Sequence, residues 1–166
     1  MTDTAVPSVE TASLRIDGHK IWTIMLAGAV ATVAFDVFGQ SLSPMLGFPK
    51  LAPVALADSV IGALVGGSYA PGAVLLHVLT GLIAYPVGWL FIAQPIARRL
   101  LPDLPWWVSA IAYGVALWTF ALFVMAHLVA GNPAFLGFTA ITWTALAGHV
   151  LFALVAAAVV RWRQSS

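Results

Sequence analysis

Four ionisable side chains stand in otherwise apolar surroundings: Asp36 in AGAVATVAFDVFG, His77 in LLHVLTG, His127 in FVMAHLVAG and His149 in TALAGHVLF. Only one other histidine is present, His19, near the N-terminus. Two imidazoles facing each other can ligate a haem iron, and with a carboxylate they can hold a divalent metal. The same groups can hydrogen-bond a quinone or pass a proton. A histidine in an apolar helix can equally do no more than hydrogen-bond its neighbour. An embedded carboxylate is costlier to hold, so Asp36 leans toward function. The candidate site is therefore Asp36, His77, His149 and His127, with His77 and His149 as the candidate metal or haem ligands.

Other chemistries are excluded by what is missing. The chain has no cysteine, so disulfides, thiolate metal sites, iron–sulfur clusters and covalently attached haem are ruled out. It has no phosphate-binding glycine loop, no His-Glu-x-x-His pair and no Gly-x-Ser-x-Gly elbow. An enzyme is not the expected reading. A net charge of +1 leaves no basic face for nucleic acid.

The elements that must position these groups are membrane spans. Of the 166 residues, 61% are hydrophobic and 8% charged, and the mean hydropathy is +0.99. Soluble domains carry roughly 25% charged residues, so the expected partner is the lipid bilayer. Four apolar stretches approach the ~20 residues that cross a hydrocarbon core: 21–42, 71–97, 106–130 and 138–160. Each must be helical, because lipid offers no partner to a free peptide group. Pro102, Pro105, Gly131, Asn132 and Pro133 mark breaks. Trp106, Trp107 and Trp162 fall at span ends, where indoles favour the headgroup layer. Pro86 and Pro95 predict kinks in the second span. The apolar segment 51–65 is short and contains Pro53 and Asp58. It reads as an interfacial or re-entrant helix rather than a fifth span.

Charge asymmetry supports that count. With four spans, Arg15, Lys20, Arg98, Arg99, Arg161 and Arg163 share one side and Lys50 stands alone on the other. A fifth span weakens the bias. By the positive-inside rule both termini are cytoplasmic. Residues 1–20 are polar and of mixed charge, and they read as a cytoplasmic tail ahead of a retained first span. Residues 21–163 then form a single all-α transmembrane domain.

Depth and phase draw the polar groups together. At ~1.5 Å per residue, Asp36 and His77 each lie about 9 Å from the outer end of their spans, His127 about 5 Å and His149 about 16 Å. Gly28, Thr32, Asp36 and Gln40 recur every four residues. His77, Gly81 and Tyr85 do the same, as do Ala145, His149 and Ala153, with Thr142 and Ala156 on that face. Turned inward, these stripes permit close helix approach and bring Asp36 toward the histidines. Asp36 and His77, at matching depth on adjacent antiparallel spans, are expected to be near neighbours.

The segments AGAVATVAFDVFG (27–39), LGFPKL (46–51), LLHVLTGLIAYP (75–86) and AGHVLFALV (147–155) resemble a family of small bacterial inner-membrane proteins of about four spans. That family has no assigned activity. The resemblance implies the four-span architecture, location in the inner (plasma) membrane, and the presence of Asp36, His77 and His149 in recurring motifs. Three functions follow as expectations. The first is a bundle whose outer-half site binds haem, a divalent metal or quinone, or relays protons. The second is an accessory or assembly subunit, packed on membrane-protein partners or on copies of itself. The third is a small transporter or channel, which ranks last because the inner halves of the spans offer no polar path.

Overall fold

A computed structural model of the chain describes residues 17–165. The chain is all-α there. Helix α1 (Gly18–Met45), α3 (Ala70–Leu100), α4 (Trp106–Val129) and α5 (Ala140–Ser165) are each long and apolar enough to cross a membrane. Between the first two lies the shorter apolar helix α2 (Pro53–Val65). The chain is thus a small polytopic membrane protein. The expected tail falls almost wholly in residues 1–16, outside the described residues.

The helix ends follow from local chemistry. Asp17 caps α1, its carboxylate accepting the Lys20 backbone N–H at 2.8 Å. The thirteen residues of α2 reach about 20 Å, too short to cross. Gly66 ends α2 at φ 82°, a left-handed conformation that glycine adopts without penalty. Asp58 then holds the turn into α3, accepting from the Ser68 hydroxyl at 2.6 Å and the Tyr69 N–H at 2.9 Å. The helices differ from the expected spans by at most five residues at either end. Both α3 and α5 continue through their basic residues, which are good helix formers.

Helix α5 is the centre of the bundle. It packs on α1 and α4, and Thr142, Ala145, His149, Ala153 and Ala156 are all buried along it. Small residues make the approach possible. A Cβ on Gly28 of α1 would land on the backbone of Leu82 in α3. One on Gly114 of α4 would sit 2.6 Å from the Val150 Cα of α5. Gly81 lies against the Thr32 hydroxyl and Gly148 against Phe35.

The spans are not uniform α-helices. Wide π-type turns occupy Phe38–Leu42 in α1, Thr80–Ala84 and Trp89–Ala93 in α3, and Phe120–Val129 in α4. The two in α3 immediately precede the stretches that contain Pro86 and Pro95. A proline has no N–H to donate and its ring crowds the carbonyl four residues back, and a widened turn relieves both. The Tyr113 hydroxyl donates to the Tyr85 carbonyl at 2.7 Å.

The connection from α4 to α5 is a tight left-handed turn, Ala134–Phe138. Phe135, Leu136 and Phe138 all have φ near +50°, where Cβ crowds the backbone at roughly 1–2 kcal/mol per residue. Ring packing offsets the strain: Phe135 lies 4.7 Å from Trp118, 5.5 Å from Phe123 and 5.1 Å from Phe138 between centroids.

Candidate functional site

The close fit of α1 on α3 brings Asp36 against His77. The imidazole Nε2 lies 3.2 Å from Oδ1 and 3.3 Å from Oδ2 of Asp36. Gln40, one turn further along α1, donates its side-chain N–H to the same Oδ1 at 3.0 Å. The carboxylate is thus met by two donors. His77 is 16% exposed and Asp36 33%, so the pair sits at the rim of the bundle, with the imidazole inward.

Inside the pair lies a cavity of about 190 Å³. All five helices contribute to its wall: Thr32 and Phe35 from α1, Leu56 and Val60 from α2, His77 and Tyr85 from α3, Leu122 from α4 and His149 from α5. Helix α2 closes one side of it, and Leu136 of the left-handed turn reaches in as well. The wall is overwhelmingly apolar.

His149 is buried on this wall. Its Nδ1 lies 2.7 Å from the Ala145 carbonyl. A carbonyl only accepts, so Nδ1 carries the proton. In the neutral ring Nε2 then holds a lone pair. Among the described residues neither that Nε2 nor the Tyr85 hydroxyl has a hydrogen-bond partner. The rings of Tyr85 and His149 lie 6.3 Å apart. One potential acceptor and one potential donor therefore converge on an apolar hollow. The Thr32 hydroxyl, also on the wall, is buried without a partner.

No family model, curated protein or solved structure matches this chain. What the site can do rests on its own geometry.

Of the four residues singled out by sequence, Asp36 and His77 touch, and His77 and His149 share the cavity wall. Phe35 stands between the two histidines, its ring 6.5 Å from that of His77 and 5.2 Å from that of His149. His127 is elsewhere. Its Nδ1 donates to the Asn132 carbonyl at 2.7 Å, its ring lies 5.5 Å from Phe123, and it does not line the cavity. The ten-residue π-type stretch Phe120–Val129 turns the phase of α4, so His127 serves the end of its own helix. Phe35 and the α2 side chains were not visible as site residues from sequence, because large apolar side chains carry no distinguishing signal there. Tyr85 was legible as part of the α3 stripe with His77 and Gly81. Its free hydroxyl was not.

The fit to the expected cofactors can be judged from these contacts. Among the described residues no three His, Cys, Asp or Glu side chains are grouped to hold a metal ion. A haem held by His77 and His149 would have to displace Phe35 and break the bond from His77 to Asp36. The cavity is also below the roughly 300–1,000 Å³ that encloses drug-sized ligands. A single polar ring fits these dimensions better than a macrocycle.

Proposed function

We propose that this protein binds a small, mainly apolar molecule carrying one or two oxygen atoms, of the quinone class, in the cavity between α2 and α5. The observation that carries the reading is the unpartnered pair of His149 Nε2 and Tyr85 hydroxyl on an otherwise apolar wall. Ligand sites characteristically combine apolar lining with a few polar groups that fix orientation. The tyrosine donates to a carbonyl oxygen, and the imidazole accepts from a hydroxyl. Asp36 and His77 form the rim, where a proton could be exchanged between the cavity and the membrane surface. The site lies in the outer half of a bundle whose termini, including the tail 1–20, face the cytoplasm of a bacterial cell. The charge asymmetry of the loops supports that orientation.

The accessory-subunit reading finds support in α3, whose span is the least buried of the four and leaves a long bare face. It does not account for the cavity.

The test is titration of purified protein in nanodiscs with decylubiquinone and with its reduced form, decylubiquinol, read by thermal stabilisation. Tyr85→Phe should weaken binding of the quinone, and His149→Leu binding of the quinol, each by about tenfold, the equivalent of one hydrogen bond, and Tyr85→Phe should leave the unliganded melting temperature nearly unchanged. Absence of stabilisation, or equal stabilisation of wild type and both variants, refutes the reading.

A further inference from the structure

A second cavity, of about 200 Å³, lies at the opposite end of the bundle from Asp36 and His77. It forms where α3 ends, α4 begins and α5 ends. Arg98 of α3 and Arg161 of α5 both line it, with Gln94 and Ser109 as further polar groups. Trp89 forms part of its wall and is 2% exposed, and its indole N–H has no acceptor. Trp106 adds a second indole at the start of α4.

Among the described residues no carboxylate compensates the charge here. Arg98 donates through one Nη to the Gln164 side-chain carbonyl at 3.1 Å. Among the described residues neither Arg98 nor Arg161 has a carboxylate partner, and Arg161 and the Ser109 hydroxyl have no hydrogen bond at all. Asp103 lies in the neighbouring turn but does not line the cavity. Neither Arg99, next to Arg98 in α3, nor Arg163 lines it.

We propose that this cavity binds a phosphate-bearing anion, held by the guanidinium groups of Arg98 and Arg161 with the Ser109 hydroxyl as a supporting donor, while the Gln94 side chain is paired with that of Gln164 at 3.3 Å. Guanidinium is a planar fork that matches phosphate oxygens and gives up hydration easily. The cavity lies where α3 and α5 pass from their apolar spans into their last, basic turns. Basic pockets between helices at that level suit anionic phospholipid headgroups, whose acyl chains can lie along the exposed apolar flank of α3. A lipid phosphodiester and a free phosphate offer the same oxygens, and the experiment separates them.

Purified protein is reconstituted with dioleoylphosphatidylglycerol or dioleoylphosphatidylcholine, and retained lipid is counted by native mass spectrometry and thermal shift. Retention of the anionic lipid over the zwitterionic one, in wild type, is the expected result and needs no variant. Arg98→Gln and Arg161→Gln should each weaken that retention about fivefold, and the pair about twentyfold or more, at roughly one guanidinium contact each. Arg161→Lys should fall between, since charge survives but the fork does not. Arg99→Gln should have little effect. Competition by millimolar inorganic phosphate would assign the site to a soluble phosphate, whereas insensitivity to it assigns the lipid. Equal retention of both lipids with no binding of inorganic phosphate overturns the proposal. So does a loss in Arg99→Gln as large as in Arg161→Gln, which would mean a diffuse basic rim.

Discussion

The two ends of this bundle treat charge in opposite ways. At one end the Asp36 carboxylate is met within the chain, by His77 on the neighbouring helix and Gln40 on its own. At the other, Arg98 and Arg161 line a hollow with no carboxylate against them among the described residues. A charge satisfied internally ties two helices together and contributes to the fold. A charge left open contributes little to the fold and is available to something outside it. The difference separates the residue whose loss should unfold the protein from the residue whose loss should change what it holds.

Both ends depend on the same backbone contacts, so the largest expected effect comes from breaking those. Gly28→Leu and Gly114→Leu each drive a side chain into backbone of the facing helix, where nothing can swing aside. Each should cost about 3 kcal/mol, read as loss of the folded bundle in detergent unfolding. If both variants kept wild-type stability, α1 on α3 and α4 on α5 would not be packed as described, and neither end would have its geometry.

The contrast itself is sharpened by a smaller effect. His77→Ala leaves the Asp36 carboxylate short of a partner at the bundle rim and should destabilise by about 1–2 kcal/mol. Asp36→Asn combined with it should cost less than the two separately, because the two side chains share one interaction. Smallest of all, Arg161→Gln in lipid-free detergent should shift stability by no more than about 0.5 kcal/mol. A larger loss in Arg161→Gln than in His77→Ala would reverse the comparison and make the arginine end structural.

Much of this arrangement is legible in the sequence. The interval of four along Gly28, Thr32 and Asp36 marked the face of α1 that meets α3, and Gly81 and His77 marked its counterpart. The run through Thr142, Ala145, His149, Ala153 and Ala156 marked a face of α5 that is buried throughout. These stripes could be read because a regular helix converts spacing into direction. Where the helices widen, that conversion fails. His127 lies within the π-type stretch of α4 and turns to Asn132. Gln40 lies in the π-type turn of α1 and is exposed, yet it reaches back to Asp36. The arginine cavity was visible only as a charge count. Arg98 and Arg161 are 63 positions apart in the sequence, and only the antiparallel return of α3 and α5 brings them to one end.

The unequal lengths of the spans carry a mechanical consequence. Helix α3 has 31 residues and α4 has 24, at most about 46 Å and 36 Å of helix. A hydrocarbon core is about 30 Å thick. Helix α3 has ample surplus, which it takes up by tilting or by projecting its last turn into the headgroups. Helix α4 has little in reserve. A thicker bilayer therefore stands α3 more upright while α4 stays nearly as it was, and the angle between them changes. Both helices wall the cavity beside His149. The shape of that cavity is thereby expected to follow membrane thickness, with the widened turns that precede Pro86 and Pro95 as the places where α3 can yield.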